Sequence, residues 1–118
     1  MIEIRWHGRG GQGAVTSVEM LASAAIQEGK FGQGFPSFGP ERRGAPLAAF
    51  NRVDSKQIRK RNAIYRPDVV VVLDPSLIKY VNVVEGLKPD GVLIVNTPLK
   101  AEEISDMVKF KGTIATVD

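Results

Sequence analysis

A chain of 118 residues that is 43% hydrophobic and 25% charged has the make-up of one ordinary globular domain, which sets aside disordered and fibrous classes. With no cysteine and a single histidine it supplies no disulfide framework, no thiolate zinc site and no ligands for an iron–sulfur cluster, so redox metal chemistry would belong to a partner. The formal charge of +3 is uneven: residues 1–66 hold eleven Lys/Arg against five Asp/Glu and residues 67–118 hold five against eight, a basic first half that suits a phosphate-bearing ligand, an acidic partner surface or simply solvated charge.

The chain enters an alternating pattern, IEIRWH, without a basic-then-apolar leader, and no apolar run approaches the roughly 20 residues of a bilayer span. The expected location is the cytoplasm, with no membrane partner. Ile2 to His7 reads as a half-buried strand. Ala14 to Glu28 reads as a helix with Val15, Val18, Leu21, Ala22 and Ile26 on one face, and Gly29 ends it. Residues 30–46, KFGQGFPSFGPERRGAP, hold four Gly and three Pro, which predicts a long shaped loop ordered by its phenylalanines.

Leu47 to Val53 is the next expected strand, followed by Asp68–Leu73, Gly91–Asn96 and Thr113–Val117, short β-branched runs suited to burial on both faces. Pro75, just after Asp74, opens an expected helix through SLIKYVNVVEGL, and Lys100–Phe110 carries Ile104, Met107 and Val108 on one face. Strand and helix in alternation predict a single α/β domain over 1–118, a Rossmann-like three-layer sandwich with a mainly parallel sheet.

Chemistry concentrates in His7-Gly8-Arg9-Gly10-Gly11-Gln12-Gly13, between the first strand and the first helix. Gly8, Gly10 and Gly13 have the spacing of a dinucleotide fingerprint, yet no acidic residue ends a second strand about 20 residues on. A phosphate-binding P-loop fails too, because Ala14-Val15 stand where Lys and Ser/Thr belong. What remains is a loop of backbone N–H groups at a helix start, with Arg9 beside it, able to face an anion; the competing reading is a tight turn packed on a neighbouring chain. His7 reads as a hydrogen-bonded structural residue, and no catalytic residue or metal ligand is assigned.

Adjacent Arg42 and Arg43 offer two planar forks to phosphate or carboxylate, or pair with Glu41 at the surface. Arg52, Lys56, Arg59, Lys60 and Arg61 form a third basic cluster with only Tyr65 as an aromatic neighbour, which argues for solvated surface or a subunit contact and against nucleic acid.

Taken together, RWHGRGGQGAVT, FPSFGPERRGAP and VVVLDPSL, in this order, resemble the gamma subunit of the 2-oxoacid:ferredoxin oxidoreductases, most like the pyruvate enzyme. The resemblance implies an accessory subunit, inert alone, of an enzyme that converts pyruvate to acetyl-coenzyme A with ferredoxin as acceptor. It further implies thiamine diphosphate, magnesium and iron–sulfur clusters on alpha, beta and delta partner subunits, and a role for this chain in the coenzyme A site. The residues expected to serve there are Arg9, Gly10, Gly11, Gln12, Gly13, Arg42 and Arg43. Gamma subunits of this kind continue past the position of Asp118, so the chain resembles their N-terminal part. The surface this leaves uncovered predicts a homodimer when the chain is isolated. A nicotinamide-binding domain and a non-catalytic scaffold are the competing functions.

Overall fold

The computed structural model describes residues 1–37 and 44–118. Among them, six strands form one sheet: β1 (Ile2–Arg9), β2 (Phe31–Pro36), β3 (Pro46–Asp54), β4 (Val69–Val72), β5 (Val92–Asn96) and β6 (Thr113–Val117). Their order across the sheet is β2-β3-β1-β4-β5-β6. β1, β4, β5 and β6 run parallel, while β3 is antiparallel to both β1 and β2. The sheet is therefore mixed and mostly parallel, as the alternating pattern of the sequence predicts.

Helix α1 (Ala14–Gln27) lies over β2, β3 and β1, burying Ala14, Val18 and Ala25. Its buried stripe passes through Ala25 and leaves Ile26 60% exposed, so Ile26 does not share the core face expected of it. Helix α2 (Ala101–Val108) covers the other face and sends Ile104 into a cluster with Val70, Val72, Leu93 and Val95, each 0% exposed. Helices on opposite faces of one sheet make the expected three layers.

Further expectations are corrected. Residues 31–36 are not loop but the edge strand β2, and the two glycines that argued against a strand explain it. A Cβ on Gly32 would stand 2.6 Å from the Ala22 carbonyl oxygen, and one on Gly34 2.6 Å from that of Val18. Glycine lets α1 rest directly on the strand backbone. Phe35 meanwhile meets Phe50 of β3 at 5.2 Å between ring centroids.

The second correction concerns SLIKYVNVVEGL, which is a 3-10 turn at Pro75–Lys79 followed by further turns. A continued helix would need the Val83 carbonyl to accept from Leu87, but Arg5 donates to the carbonyls of Val83 (3.0 Å) and Glu85 (2.6 Å), and Leu87 N–H turns to Val84 instead. Leu77, Val83 and Leu87 still reach the core.

Arg52 is likewise not surface. It is 1% exposed, lies 5.6 Å from the Phe35 ring centroid, and donates to Glu3 (2.8 Å), Gln33 (3.0 Å) and the Asn62 carbonyl (2.6 Å). A buried guanidinium with every edge occupied avoids the penalty of an unpaired buried charge.

Candidate functional site

β1 runs parallel to β4 and delivers the glycine loop to the edge where the parallel strands end. From there the chain parts in two directions. α1 passes over one face towards β2, whereas residues 75–90 pass over the other towards β5. The gap between the ends of β1 and β4 is thus a switch point, the place where open parallel sheets accept ligands. Gly11 (φ 87°) and Gly13 (φ 86°) take left-handed conformations that disfavour a Cβ, and Gly13 starts α1 with no side-chain cap and no acidic residue in the first turn. The first-turn amides keep their positive dipole end without an internal carboxylate to answer it.

The loop is held by one carboxylate that the sequence reading did not connect to it. Asp74, two residues past β4, accepts from Arg9 Nε (3.0 Å) and Gln12 Nε2 (2.9 Å) on one oxygen, and from the Ser76 amide (3.0 Å) and hydroxyl (2.7 Å) on the other. Gln12 closes the loop on itself by accepting from the Arg9 amide at 2.7 Å. Hydrogen bonds from the Ser76 hydroxyl and the Gln12 amide, joined by those from the Ser76 backbone and Arg9, outweigh partial burial and lower the Asp74 pKa to about 2. Arg9 also donates to the Ser76 hydroxyl (3.1 Å) and the Gly44 carbonyl (3.0 Å). Its charge is therefore matched within the chain.

Gly44 connects the second glycine-bearing segment to the first. Its amide donates to the Gly10 carbonyl at 3.1 Å, and the Gly10 amide donates to Ala45 at 2.9 Å. Arg9, Gly10, Gly11, Gln12 and Gly13 are therefore brought together at the switch point, Gly10 buried and the last three exposed. Arg42 and Arg43 lie outside the described residues, but Gly44 follows Arg43 directly in the chain. Asp74, Ser76 and Gly44 are the site residues missed. The available signal was Asp-Pro-Ser directly after a strand, read only as a helix start.

His7 stands one strand position below the loop, on the α2 side, where its Nε2 accepts from Arg5 Nε at 2.9 Å. Burial first, and the neighbouring Arg5 charge second, lower its pKa to about 4, so it is neutral at physiological pH. The hydrogen bond expected of His7 is present. Among the described residues, no group of three or more His, Asp or Glu could hold a metal ion, and no helix is long and apolar enough to cross a membrane.

The sequence matches the pyruvate ferredoxin/flavodoxin oxidoreductase family over residues 3–116. The chain belongs to that family. Within the family it is 60% identical over its whole length to the pyruvate/ketoisovalerate oxidoreductases common subunit gamma of Thermococcus kodakarensis, of which it covers 64%. It is 62% identical over 97 residues, 82% of the chain, to the pyruvate synthase subunit PorC of Methanocaldococcus jannaschii, covering 54% of that protein. The crystal structure of the pyruvate oxidoreductase subunit PORC from Thermotoga maritima shares the fold with a TM-score of 0.85 at 47% identity, over 99% of this chain and 61% of that one. The family resemblance read from the glycine-bearing motifs is borne out. The chain spans under two thirds of the length of these relatives.

Proposed function

We propose that the chain is the accessory gamma subunit of an oxidoreductase that decarboxylates pyruvate to acetyl-coenzyme A and passes the electrons to ferredoxin. Its relatives with names of this kind match along its whole length. In this reading the chain is cytoplasmic, works with alpha, beta and delta subunits, and is inactive alone. Thiamine diphosphate, magnesium and the iron–sulfur clusters sit on those partners, in keeping with a chain that has no cysteine.

Its own contribution is to hold coenzyme A phosphates, and the observation that carries this is the bond from Gly44 to Gly10. That bond ties the end of the segment containing Arg42 and Arg43 to the glycine loop at the switch point. The amides of Gly11 and Gly13 and the forks of Arg42 and Arg43 would meet the phosphates, while Gly10, whose amide is taken by the Ala45 carbonyl, would anchor the loop. Arg9 and Gln12, bound to Asp74, would hold the loop in place. Backbone amides at a helix start and paired guanidinium groups are the chemistry that a pyrophosphate and a ribose phosphate require.

The nicotinamide alternative fits the topology less well. Antiparallel β3 separates β1 from β2, and β2 ends at Pro36 where the fingerprint needs an acid. The scaffold alternative is tested directly. In the assembled enzyme, replacing Arg42 and Arg43 together by Gln should raise the apparent coenzyme A KM at least about tenfold, since each charged contact contributes roughly 1.5 to 3 kcal/mol, with pyruvate KM unchanged. Loss of assembly on gel filtration before any change in coenzyme A KM would favour the scaffold. An assembled variant with an unchanged coenzyme A KM would remove the phosphate role.

A further inference from the structure

The face of the sheet that carries α1 is covered on one half only. Along β4 and β5 the side chains alternate between faces. Those on the α2 side, Val70, Val72, Leu93 and Val95, are completely buried. Their alternates Val69, Val71, Val92 and Ile94 are only half-buried, lie side by side in register across the two strands, and belong to neither hydrophobic cluster of the domain. The strip continues onto β6 through Thr113, Ala115 and Val117, the last 61% exposed. No charged residue interrupts it.

Nothing in the described chain lies over this strip. α1 packs on β2, β3 and β1, and both connections that cross the parallel half, from β4 to β5 and from β5 to β6, bury their side chains on the opposite face. Parallel strands with β-branched residues on both sides call for cover on both sides. Three strands at about 4.8 Å spacing leave a strip about one helix diameter wide beside α1, in a layer that already holds a helix.

We propose that this strip is the seat of an amphipathic α-helix belonging to the part of the polypeptide that the relatives carry outside the matched region. About a third of the length of the Thermococcus kodakarensis and Pyrococcus abyssi subunits lies outside the match, ample for a helix that long. The helix runs alongside α1, over β4 and β5. Its stripe of Ala, Val, Leu or Ile, repeating at three and four residues, faces the uncharged valines, and its charges face water.

The test titrates the isotope-labelled chain with a peptide comprising the unmatched portion of the Thermococcus kodakarensis subunit and follows backbone amide resonances. Saturable shifts at Val69, Val71, Val92 and Ile94, absent around Met20 on the outer side of α1, are the expected result. Ile94→Glu should weaken the peptide at least tenfold and leave the melting temperature close to that of the parent. Val71→Thr, nearly isosteric, should weaken it severalfold and serves if the first variant folds poorly. Shifts elsewhere, or none, overturn the proposal. So does a dimer of the chain alone, seen by analytical ultracentrifugation, that Ile94→Glu dissociates and the peptide fails to displace, because the strip would then be the seat of a second copy.

Discussion

Asp74 shows how one side chain can order a loop made mostly of glycine. Four hydrogen bonds converge on it, two of them from Arg9 and Gln12 at the far side of the switch point. Replacing it by Asn preserves shape but removes the charge and misaligns an acceptor. We expect a loss of about 1 to 3 kcal/mol at pH 7, read from urea unfolding, with a change below about 0.5 kcal/mol contradicting the latch. The pH dependence separates Asp74 from His7. A carboxyl lowered to about 2 contributes stability above its ordinary pKa, and that stability is lost only as pH falls below about 4. His7, lowered to about 4, stays neutral in the fold while the unfolded chain takes up a proton near 6.5. Its contribution is complete above about 6.5 and falls, by about 3 kcal/mol in all, as pH drops to about 4. Unfolding free energy should therefore decline between pH 7 and 4.5 in the parent, and this slope should flatten in His7→Gln. Equal slopes would refute the assignment.

At the scale of elements, the parallel half was legible because valine runs such as Asp68–Leu73 have few other ways to be buried. β2 was not, because the features of FGQGFP that oppose a strand in isolation are what its tertiary setting demands. Gly32 and Gly34 exist to admit α1, a fact invisible without knowing which helix lies above them. Either glycine changed to Ala should destabilise the domain by about 1 to 3 kcal/mol through overpacking against a helix carbonyl, measured by thermal unfolding; a neutral result would mean that α1 can lift off β2 freely. The turns after Pro75 were misread for a similar reason. The apolar spacing is helical, but Arg5, about eighty residues earlier, takes carbonyls that a helix would use. The glycine loop itself was legible as a loop before a helix. Its holder Asp74 was not, because an Asp before Pro already has a local explanation as a cap, and here it does cap Ser76 while also reaching Gln12.

At the scale of the whole molecule, two halves meet at β1. The antiparallel half is tied by Arg52, which joins β1, β2, β3 and the segment around Asn62. Arg52→Ala should remove about 3 to 5 kcal/mol by leaving Glu3 without its buried partner, visible as a lowered urea midpoint, whereas a surface arginine would change it little. The chain leaves β1 and β4 over opposite faces, and the crevice between them is where the glycine loop, Asp74 and Gly44 converge. The central claim is that this crevice receives coenzyme A phosphates on the loop amides. The most direct measurement is hydrogen–deuterium exchange on the assembled oxidoreductase, reading the peptide that spans Gly10 to Val15 with and without saturating coenzyme A. Slower exchange in that peptide with coenzyme A, and none with NAD at the same concentration, is the predicted result. Unchanged exchange under saturating coenzyme A would contradict the claim.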